Sequence, residues 1–481
     1  MNRLYMYDVR GIQNYIFRTN KVKEIIGASM MVEDLILRLF ENSAEKLNLR
    51  VKSRVTHQNE LLFSFTKEDH LDAEVLYYGG GNLLVLYHDE QKAREVSRMM
   101  CIDLVKETYS LQLAVASVEA QNENSYKEDY QKLRKEMERV KVNMPMSAPV
   151  SGFPITLNDP QTGFPFSQYG YDQKMTYESF RKRDFFEKHR LQKQIPNIEN
   201  FGSKDGESLI AVVHIDGNEM GKRIRDKMSV VTSYHQAANV SRGISDEIKE
   251  IFTDKALKMV ESNIAEFCKE VNIEKDKDEA FRAIIYAGDD ITFVCNARIA
   301  MRCVKTFMDV LENDGRYNAC AGMYMCHTHF PFARAYEYCE QLCASAKALS
   351  RTKPGNYVDF HVNYSGILSD IDDTRDKYYC DMFKHQLIAR PYHIGNEFND
   401  SDIYEFNQLF DMLKRIDKLV VARNKVKSLR ESFYRGEGYL KEELLRVNSR
   451  LLEEDKLINI DYKVLFDAID IMDLKWGDVH E

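Results

Sequence analysis

One pattern of strands, turns and helices occurs twice along the chain, and it limits the possible folds more than any other feature of the sequence. In the first copy an apolar strand ends on Asp8, and a later strand–turn–strand has glycines at residues 79–81. In the second copy a strand ends on Asp216, and the turn lies at residues 286–290. Each copy continues with a helix and a last strand, which is the order of a β-α-β-β-α-β unit. The sequence therefore predicts an α+β protein with two ferredoxin-like domains.

Composition divides the rest of the chain. Five of the nine prolines lie between Pro145 and Pro165, and strand patterns stop after about residue 365. We expect the following domains: 1–142, the first repeat, degenerate at its turn; 143–205, a linker module rich in proline and aromatic residues; 206–364, the second repeat; and 365–481, a helical C-terminal domain. A basic helix at the end of the linker, around Arg181 and Lys188, favours a solvated face over a nucleic-acid contact.

Bulk properties exclude several classes of protein. A net charge of −9 and a pI near 5.8 argue against a chain that coats nucleic acid. No apolar run reaches membrane-spanning length, and Asp8 stands where a signal peptide would be apolar. The nine cysteines include no CxxC pair and fit reduced thiols. We therefore expect a cytoplasmic protein without membrane contact.

The turn of the second copy carries two adjacent acids. Gly288 suits a sharp turn, and Asp289 and Asp290 follow it between two apolar strands. Two like charges this close raise each other's pKa unless a cation offsets them, and Mg²⁺ prefers carboxylate oxygens. A purely conformational turn remains the alternative, because Asp and Gly are common at hairpin tips.

A second acidic position lies at the end of the strand before this turn. Asp216 would join Asp289 and Asp290 in a three-carboxylate set, which can hold two divalent ions for phosphoryl transfer. The residues that follow Asp216 are Gly217, Asn218, Glu219, Met220 and Gly221, and glycines next to a helix start favour phosphate binding. The first copy has Gly81 and Asn82 where the second has the two acids, so we expect it to bind no catalytic metal.

Lys347 is a candidate for contact with a nucleotide triphosphate. It lies near the end of the helix that follows the last strand of the second copy. Its ammonium would act as a point charge on the β- and γ-phosphates. An exposed helix lysine is the alternative.

With these motifs the sequence resembles the large polymerase-cyclase subunit of type III CRISPR effector complexes, a family with paired palm domains of the nucleotidyl-cyclase type. The stretches that carry the resemblance are Asp8–Phe17, Asp216–Gly221, Tyr286–Asp290, residues 321–347 and, more loosely, the segment from Arg390 onwards. Larger members begin with an HD-type nuclease domain and often carry a cysteine-bound zinc module between the palms. This chain begins at the first palm, and its linker has no cysteines, so we expect a reduced relative that does not cleave DNA.

The resemblance implies an enzyme. Asp216, Asp289 and Asp290 would be catalytic and hold two Mg²⁺ (or Mn²⁺) ions, and residues 217–221, Gly288 and Lys347 would bind ATP or a related nucleoside triphosphate. The product would be a short or cyclic oligonucleotide that signals in antiviral defence. Two alternatives stay open: a dinucleotide cyclase of the diguanylate type, and a catalytically silent scaffold that binds RNA and CRISPR effector subunits. A homo-oligomer is also compatible with the sequence.

Overall fold

The computed structural model describes residues 1–66, 70–144, 155–193, 209–273, 280–364, 366, 370–396, 400, 402–418, 423–449 and 456–474. The chain forms two compact units, each assembled from separate stretches of sequence. The first unit comprises residues 1–195, 219–250 and 287–289, and the second comprises residues 196–218, 251–286 and 290–481.

The first unit is built on a five-stranded sheet in the order β2-β3-β4-β1-β5. The strands of this sheet are β1 (Arg3–Arg10), β2 (Val51–Lys52), β3 (Ala73–Gly79), β4 (Asn82–Tyr87) and β5 (Gln112–Glu119). A separate two-stranded sheet contains β6 (Phe166–Gly170) and β7 (Gln173–Thr176). The helices of the first unit are α1 (Ile12–Phe17), α2 (Val22–Val32), α3 (Leu35–Lys46), α4 (Glu90–Thr108), α5 (Tyr126–Asn143), α6 (Tyr177–Lys193), α7 (Met220–Ser229) and α8 (Tyr234–Ile248). The antiparallel order β3-β4-β1-β5 is the ferredoxin-like order predicted for the first repeat.

Helix α4 shows why the sequence forms these elements. Its buried residues include Ala93, Val96, Met100 and Leu104, which recur at the three- and four-residue spacing of one helix face. The carboxylate of Asp89 accepts hydrogen bonds from two backbone N–H groups of the first turn, so the helix begins where a capping residue permits it.

The described part of the linker module, residues 155–193, contains regular secondary structure that the sequence analysis did not predict. Strands β6 and β7 form a hairpin, and α6 packs against α2 of the first unit. Lys182 of the basic helix is buried: it donates to Glu178 Oε1 at 2.6 Å and to the carbonyl oxygen of Tyr15. The prediction of a wholly solvated basic face is therefore wrong at Lys182, because this cation stabilises the packing of α6.

The second unit is built on a seven-stranded sheet in the order β14-β13-β12-β11-β8-β10-β9. Its strands are β8 (Leu209–Gly217), β9 (Phe281–Ala287), β10 (Asp290–Asn296), β11 (Ala319–His327), β12 (Tyr357–Val362), β13 (Tyr392–His393) and β14 (Tyr404–Glu405). Its helices are α9 (Lys258–Glu270), α10 (Ala297–Asp314), α11 (Phe332–Thr352), α12 (Ile371–Tyr378), α13 (Phe406–Lys418), α14 (Arg423–Tyr434), α15 (Glu437–Asn448) and α16 (Tyr462–Ile471), and a π-helical segment, Lys249–Leu257, precedes α9. The order β11-β8-β10-β9 repeats that of the first sheet, so the predicted internal repeat is confirmed.

Three sequence predictions need correction. Residues 219–250 belong to the first compact unit, although we assigned them to the second repeat. The helical C-terminal segment contributes two short strands, β13 and β14, to the second sheet. The apolar stretch Leu61–Phe65, whose pattern predicts a strand, forms none. Its backbone N–H groups at Leu62 and Phe63 donate to the buried carboxylate of Glu74 at 2.8 Å.

The C-terminal helices are joined to this sheet by buried charges. Arg390 lies 3.1 Å from Asp470 and 3.5 Å from Asp467, two residues of α16, and all three side chains are at most 2% exposed. No helix in the described ranges is long and apolar enough to cross a membrane.

Candidate active site at the end of strand β8

Two acids face each other across neighbouring strands. The register of β8 and β10 places Asp216 opposite Asp290, and β11 places Cys320 on the other side of Asp216. Directly opposite residues of an antiparallel pair have Cβ atoms about 5 Å apart, and like charges in such a pair repel. The sheet therefore builds a site that needs positive charge.

Lys347 supplies one such charge. Its Nζ atom forms an ion pair with Asp216 Oδ2 and lies 3.5 Å from the carbonyl oxygen of Gly217. Burial alone lowers the pKa of Lys347, but the hydrogen bond to Asp216 and the negative charge of that residue raise it above its ordinary value. The lysine is therefore a cation at neutral pH and lies at the carboxylate pair rather than on a solvated helix face.

Helix α11 brings Lys347 to this position because it lies unusually close to the sheet. A Cβ atom at Gly322 of β11 would lie 2.0 Å from the carbonyl oxygen of Cys339 and 2.5 Å from the backbone nitrogen of Cys343. The thiol of Cys339 donates to the Val212 carbonyl oxygen of β8 at 2.9 Å. Only glycine permits this approach of helix to strand.

Asn218 holds the end of β8 to the loop that follows α11. Its Nδ2 atom donates to Ser350 Oγ at 2.9 Å and to the Gly355 carbonyl oxygen at 3.0 Å. Its backbone N–H donates to the carbonyl oxygen of Asn318 at 2.8 Å. The side-chain amide and the backbone N–H of Asn218 are thus both used to hold this loop in place.

The remaining predicted site residues belong to the first compact unit. Glu219 precedes α7 with a left-handed φ of 53°, and its carboxylate is 61% exposed and 3.5 Å from Lys222. Met220 and Gly221 begin α7. Gly288 adopts a φ of +72° at the hairpin turn, as expected for glycine there, and Asp289 follows it.

The metal prediction rests on the donor chemistry of these residues. Within the part of the chain that the structure describes, no three His, Cys, Asp or Glu side chains are grouped as ligands for one ion. Asp216 and Asp290 nevertheless fit a hard divalent cation, because they present carboxylate oxygens from adjacent strands. In this structure the positive charge beside them is that of Lys347. The three-carboxylate set with Asp289 stays a prediction.

The first repeat contains a partial copy of this arrangement. Asp8 of β1 lies opposite Asn82 of β4, and Lys141 of α5 forms an ion pair with Asp8. The Asp–Lys pair is therefore present in both repeats, and the second acid only in the second. We did not predict Lys141, although its place near the end of the helix after the last strand matches that of Lys347.

Residues 209–353 match the family model described as Cas10/Cmr2, second palm domain. This segment is therefore similar to the second palm domain of Cas10/Cmr2 proteins. The resemblance inferred from the motifs is confirmed, and the second repeat can be called the second palm. None of the curated proteins compared with the chain matches it.

Solved structures of Csm1 share the fold. The chain aligns over 99% of its length with 69% of Csm1 from T.onnurineus, with a TM-score of 0.53 and 15% identity. The same coverage is found for a Csm1–Csm4 cassette in complex with AMPPNP, at a TM-score of 0.55 and 15% identity. A cassette in complex with pppApApA gives a TM-score of 0.54 and 13% identity, again over 99% and 69% of the two chains. At these identities the likeness concerns the fold.

Proposed function

We propose that this chain is a nucleotidyltransferase that joins ATP, or a related nucleoside triphosphate, into short or cyclic oligonucleotides as part of a type III CRISPR defence. The observation that carries the proposal is the Asp216–Asp290 pair with Lys347 beside it, in a segment that matches the Cas10/Cmr2 second palm. Two paired carboxylates with a fixed cation beside them suit nucleotidyl transfer, in which the reacting phosphates carry several negative charges.

Each residue has a role in this proposal. Asp216, Asp289 and Asp290 would hold two Mg²⁺ or Mn²⁺ ions, which supply Lewis-acid stabilisation of the attacking and leaving oxygens. Lys347 neutralises charge on the β- and γ-phosphates as pyrophosphate leaves. The backbone of residues 217–221 positions the triphosphate, and a hydroxyl of a second nucleotide attacks the α-phosphorus.

The ligands of the similar structures support adenine nucleotides as substrates. A Csm1–Csm4 cassette was solved with AMPPNP and another with pppApApA, a nucleotide and a linear oligoadenylate. Those structures also pair Csm1 with Csm4, so we include a Csm4-like effector subunit among the proposed partners.

The test is turnover of each labelled nucleoside triphosphate in Mg²⁺, with the product mass measured. We expect adenine-containing oligonucleotides and pyrophosphate from the wild type, and at least a ~100-fold lower rate from Asp289→Ala with Asp290→Ala. The matched control is Asp372→Ala with Asp373→Ala, which removes two exposed adjacent acids from α12. The double mutant at the turn should retain or gain thermal stability without metal, because it removes like charges.

Other outcomes decide between the alternatives. A cyclic dinucleotide formed only from GTP would favour the diguanylate type. RNA binding without turnover of any nucleotide would favour the silent scaffold. Undiminished turnover by a well-folded turn mutant would overturn the assignment of the carboxylates.

A further inference from the structure

Two links run side by side between the end of strand β8 and the last turns of helix α11. The first is the ion pair between Asp216 of β8 and Lys347 of α11. The second lies two residues further along the chain, where the side-chain amide of Asn218 donates to Ser350 Oγ at 2.9 Å. Ser350 follows Lys347 by three residues on the same helix. One link is therefore charged and the other neutral, and both join the same two elements.

The neutral link belongs to a closed set of hydrogen bonds. Asn218 Nδ2 also donates to the carbonyl oxygen of Gly355 at 3.0 Å, and this acceptor fixes which side of the amide faces the helix. Ser350 Oγ donates to the same carbonyl oxygen at 3.3 Å and accepts from Asn218 with a lone pair. Ser350 and Gly355 are buried, so water competes little for these bonds.

The backbone next to Asn218 is held in the same region. Its N–H donates at 2.8 Å to the carbonyl oxygen of Asn318, the residue before β11. The following N–H, that of Ala319, donates at 2.9 Å to Oδ1 of the buried Asn356, the residue before β12. The loop that carries Asn218 is thus connected to three elements without any contribution from Lys347.

The charged link has to open in the proposed reaction. Asp216 would bind a cation and Lys347 would bind phosphate oxygens, so neither can keep the other as its partner. The amide of Asn218 and the hydroxyl of Ser350 carry no charge at neutral pH and take no part in this exchange. The neutral link can therefore hold β8 and α11 together while the charged groups change partners.

We propose that Asn218 is a positioning residue whose amide, through Ser350 and Gly355, keeps Asp216 and Lys347 in place when their ion pair opens. This inference rests on the proposed function, because it concerns the same acid and the same lysine. It differs from direct contact between the Asn218 side chain and a nucleotide, and the two roles give different kinetics.

The first test is a double-mutant cycle of Asn218→Ala and Ser350→Ala, with kcat and KM measured for ATP in Mg²⁺. Asn218→Ala should lower kcat about 10–100-fold with little change in KM, as is typical when a group that supports a ligating residue is lost. Ser350→Ala should lower kcat about fivefold, because one of the two acceptors of the amide remains. The double variant should be no slower than Asn218→Ala, because both substitutions remove one link.

The matched control is Asn448→Ala in α15. The amide of Asn448 also bonds to the backbone of a loop: Nδ2 donates to the carbonyl oxygen of Leu457 at 3.1 Å, and Oδ1 accepts from its N–H at 2.8 Å. Asn448→Ala should leave kcat within about twofold of wild type, because its bonds do not reach β8 or α11.

The second test is hydrogen exchange in the ligand-free protein, followed over residues 216–219 and 350–356. Asn218→Ala should raise the exchange rate of both segments about tenfold, whereas Lys347→Ala should leave it within about twofold of wild type. This measurement needs no turnover. If the wild type turns over no nucleotide, the proposed function fails by itself, and hydrogen exchange still decides which link holds the two segments.

Three results would overturn the proposal. A raised KM with unchanged kcat in Asn218→Ala, together with an unaffected Ser350→Ala, would indicate direct contact with the nucleotide. Additive losses in the double variant would show that the two residues do not form one link. Exchange that rises as much in Lys347→Ala as in Asn218→Ala would show that the segments depend on the ion pair.

Discussion

Substitution of Gly322 by alanine tests the packing that brings Lys347 to the carboxylate pair. The new Cβ would lie 2.0 Å from the carbonyl oxygen of Cys339, whereas a carbon–oxygen contact needs about 3.3 Å. Helix α11 would have to retreat by about 1.3 Å, because the clashing atoms are backbone and cannot rotate away. Overpacking of this kind costs about 1–3 kcal/mol, and we expect the upper end of that range.

The assay is urea unfolding combined with turnover. Gly322→Ala should lower the free energy of unfolding by about 3 kcal/mol, and activity should fall up to about 100-fold, since a displacement of about 1 Å at a reacting centre has that effect. The matched control is Gly243→Ala in α8, where the new Cβ would have no neighbouring atom within 4 Å. The control should gain about 0.5–1 kcal/mol from helix propensity. A Gly322→Ala variant as stable and active as wild type would refute the proposed role of this contact.

Three further predictions concern single side chains. Lys347→Ala should weaken nucleotide binding in a filter or calorimetric assay. It should also lower the Mg²⁺ concentration needed for half-maximal rate, because the ammonium group that competes with the metal for Asp216 is removed. Nucleotide affinity and rate equal to those of wild type would argue against contact between Lys347 and the triphosphate. Asp8→Asn should cost much less product than Asp216→Asn in the same turnover assay, since Asn82 already replaces the second acid of the first repeat; equal losses would give Asp8 a role that we have not assigned. Burial, together with the charge of Arg390, lowers the pKa of His361 to about 3. Below pH 6.5 the unfolded chain therefore binds a proton that the folded chain does not. The free energy of unfolding consequently falls as the pH falls from 6.5 towards 3. Between pH 7 and pH 5, wild type should lose about 2 kcal/mol of unfolding free energy more than His361→Phe in denaturant titrations, and parallel losses would contradict the shift.

The sequence predicted the parts of the molecule in which a local pattern decides the outcome. The alternation of apolar residues determines which strands are buried, and the two glycine turns fix the hairpins, so the repeat and the strand positions of Asp216 and Asp290 followed from periodicity. The position of Lys347 was also predictable, because the helix that follows the last strand of the repeat returns along the sheet. The likeness of the motifs to the Cas10 family supplied the chemistry that we propose for the site.

The parts that we missed depend on contacts between distant stretches. Lys182 looks like any exposed helix lysine, and its burial depends on Glu178 and on the carbonyl oxygen of Tyr15, 167 residues away. Strands β13 and β14 have two residues each, which is too short to show a period. Helix α8 joins the first unit through Arg242, whose guanidinium donates to the Leu76 and Val75 carbonyl oxygens at 3.0 and 2.7 Å. None of these partners can be recognised from the helix or strand sequence alone.

The Asp–Lys pair in the first repeat has a consequence for the history and redesign of such chains. Asp8, Lys141 and the strand register are all in place there, and only the amide of Asn82 separates this site from a second pair of facing acids. Asparagine and aspartate differ by one base in their codons and by one atom type in their side chains. Asn82→Asp would therefore restore the facing pair of acids in one step, whereas a full copy of the second site would also need an acid in place of Gly81.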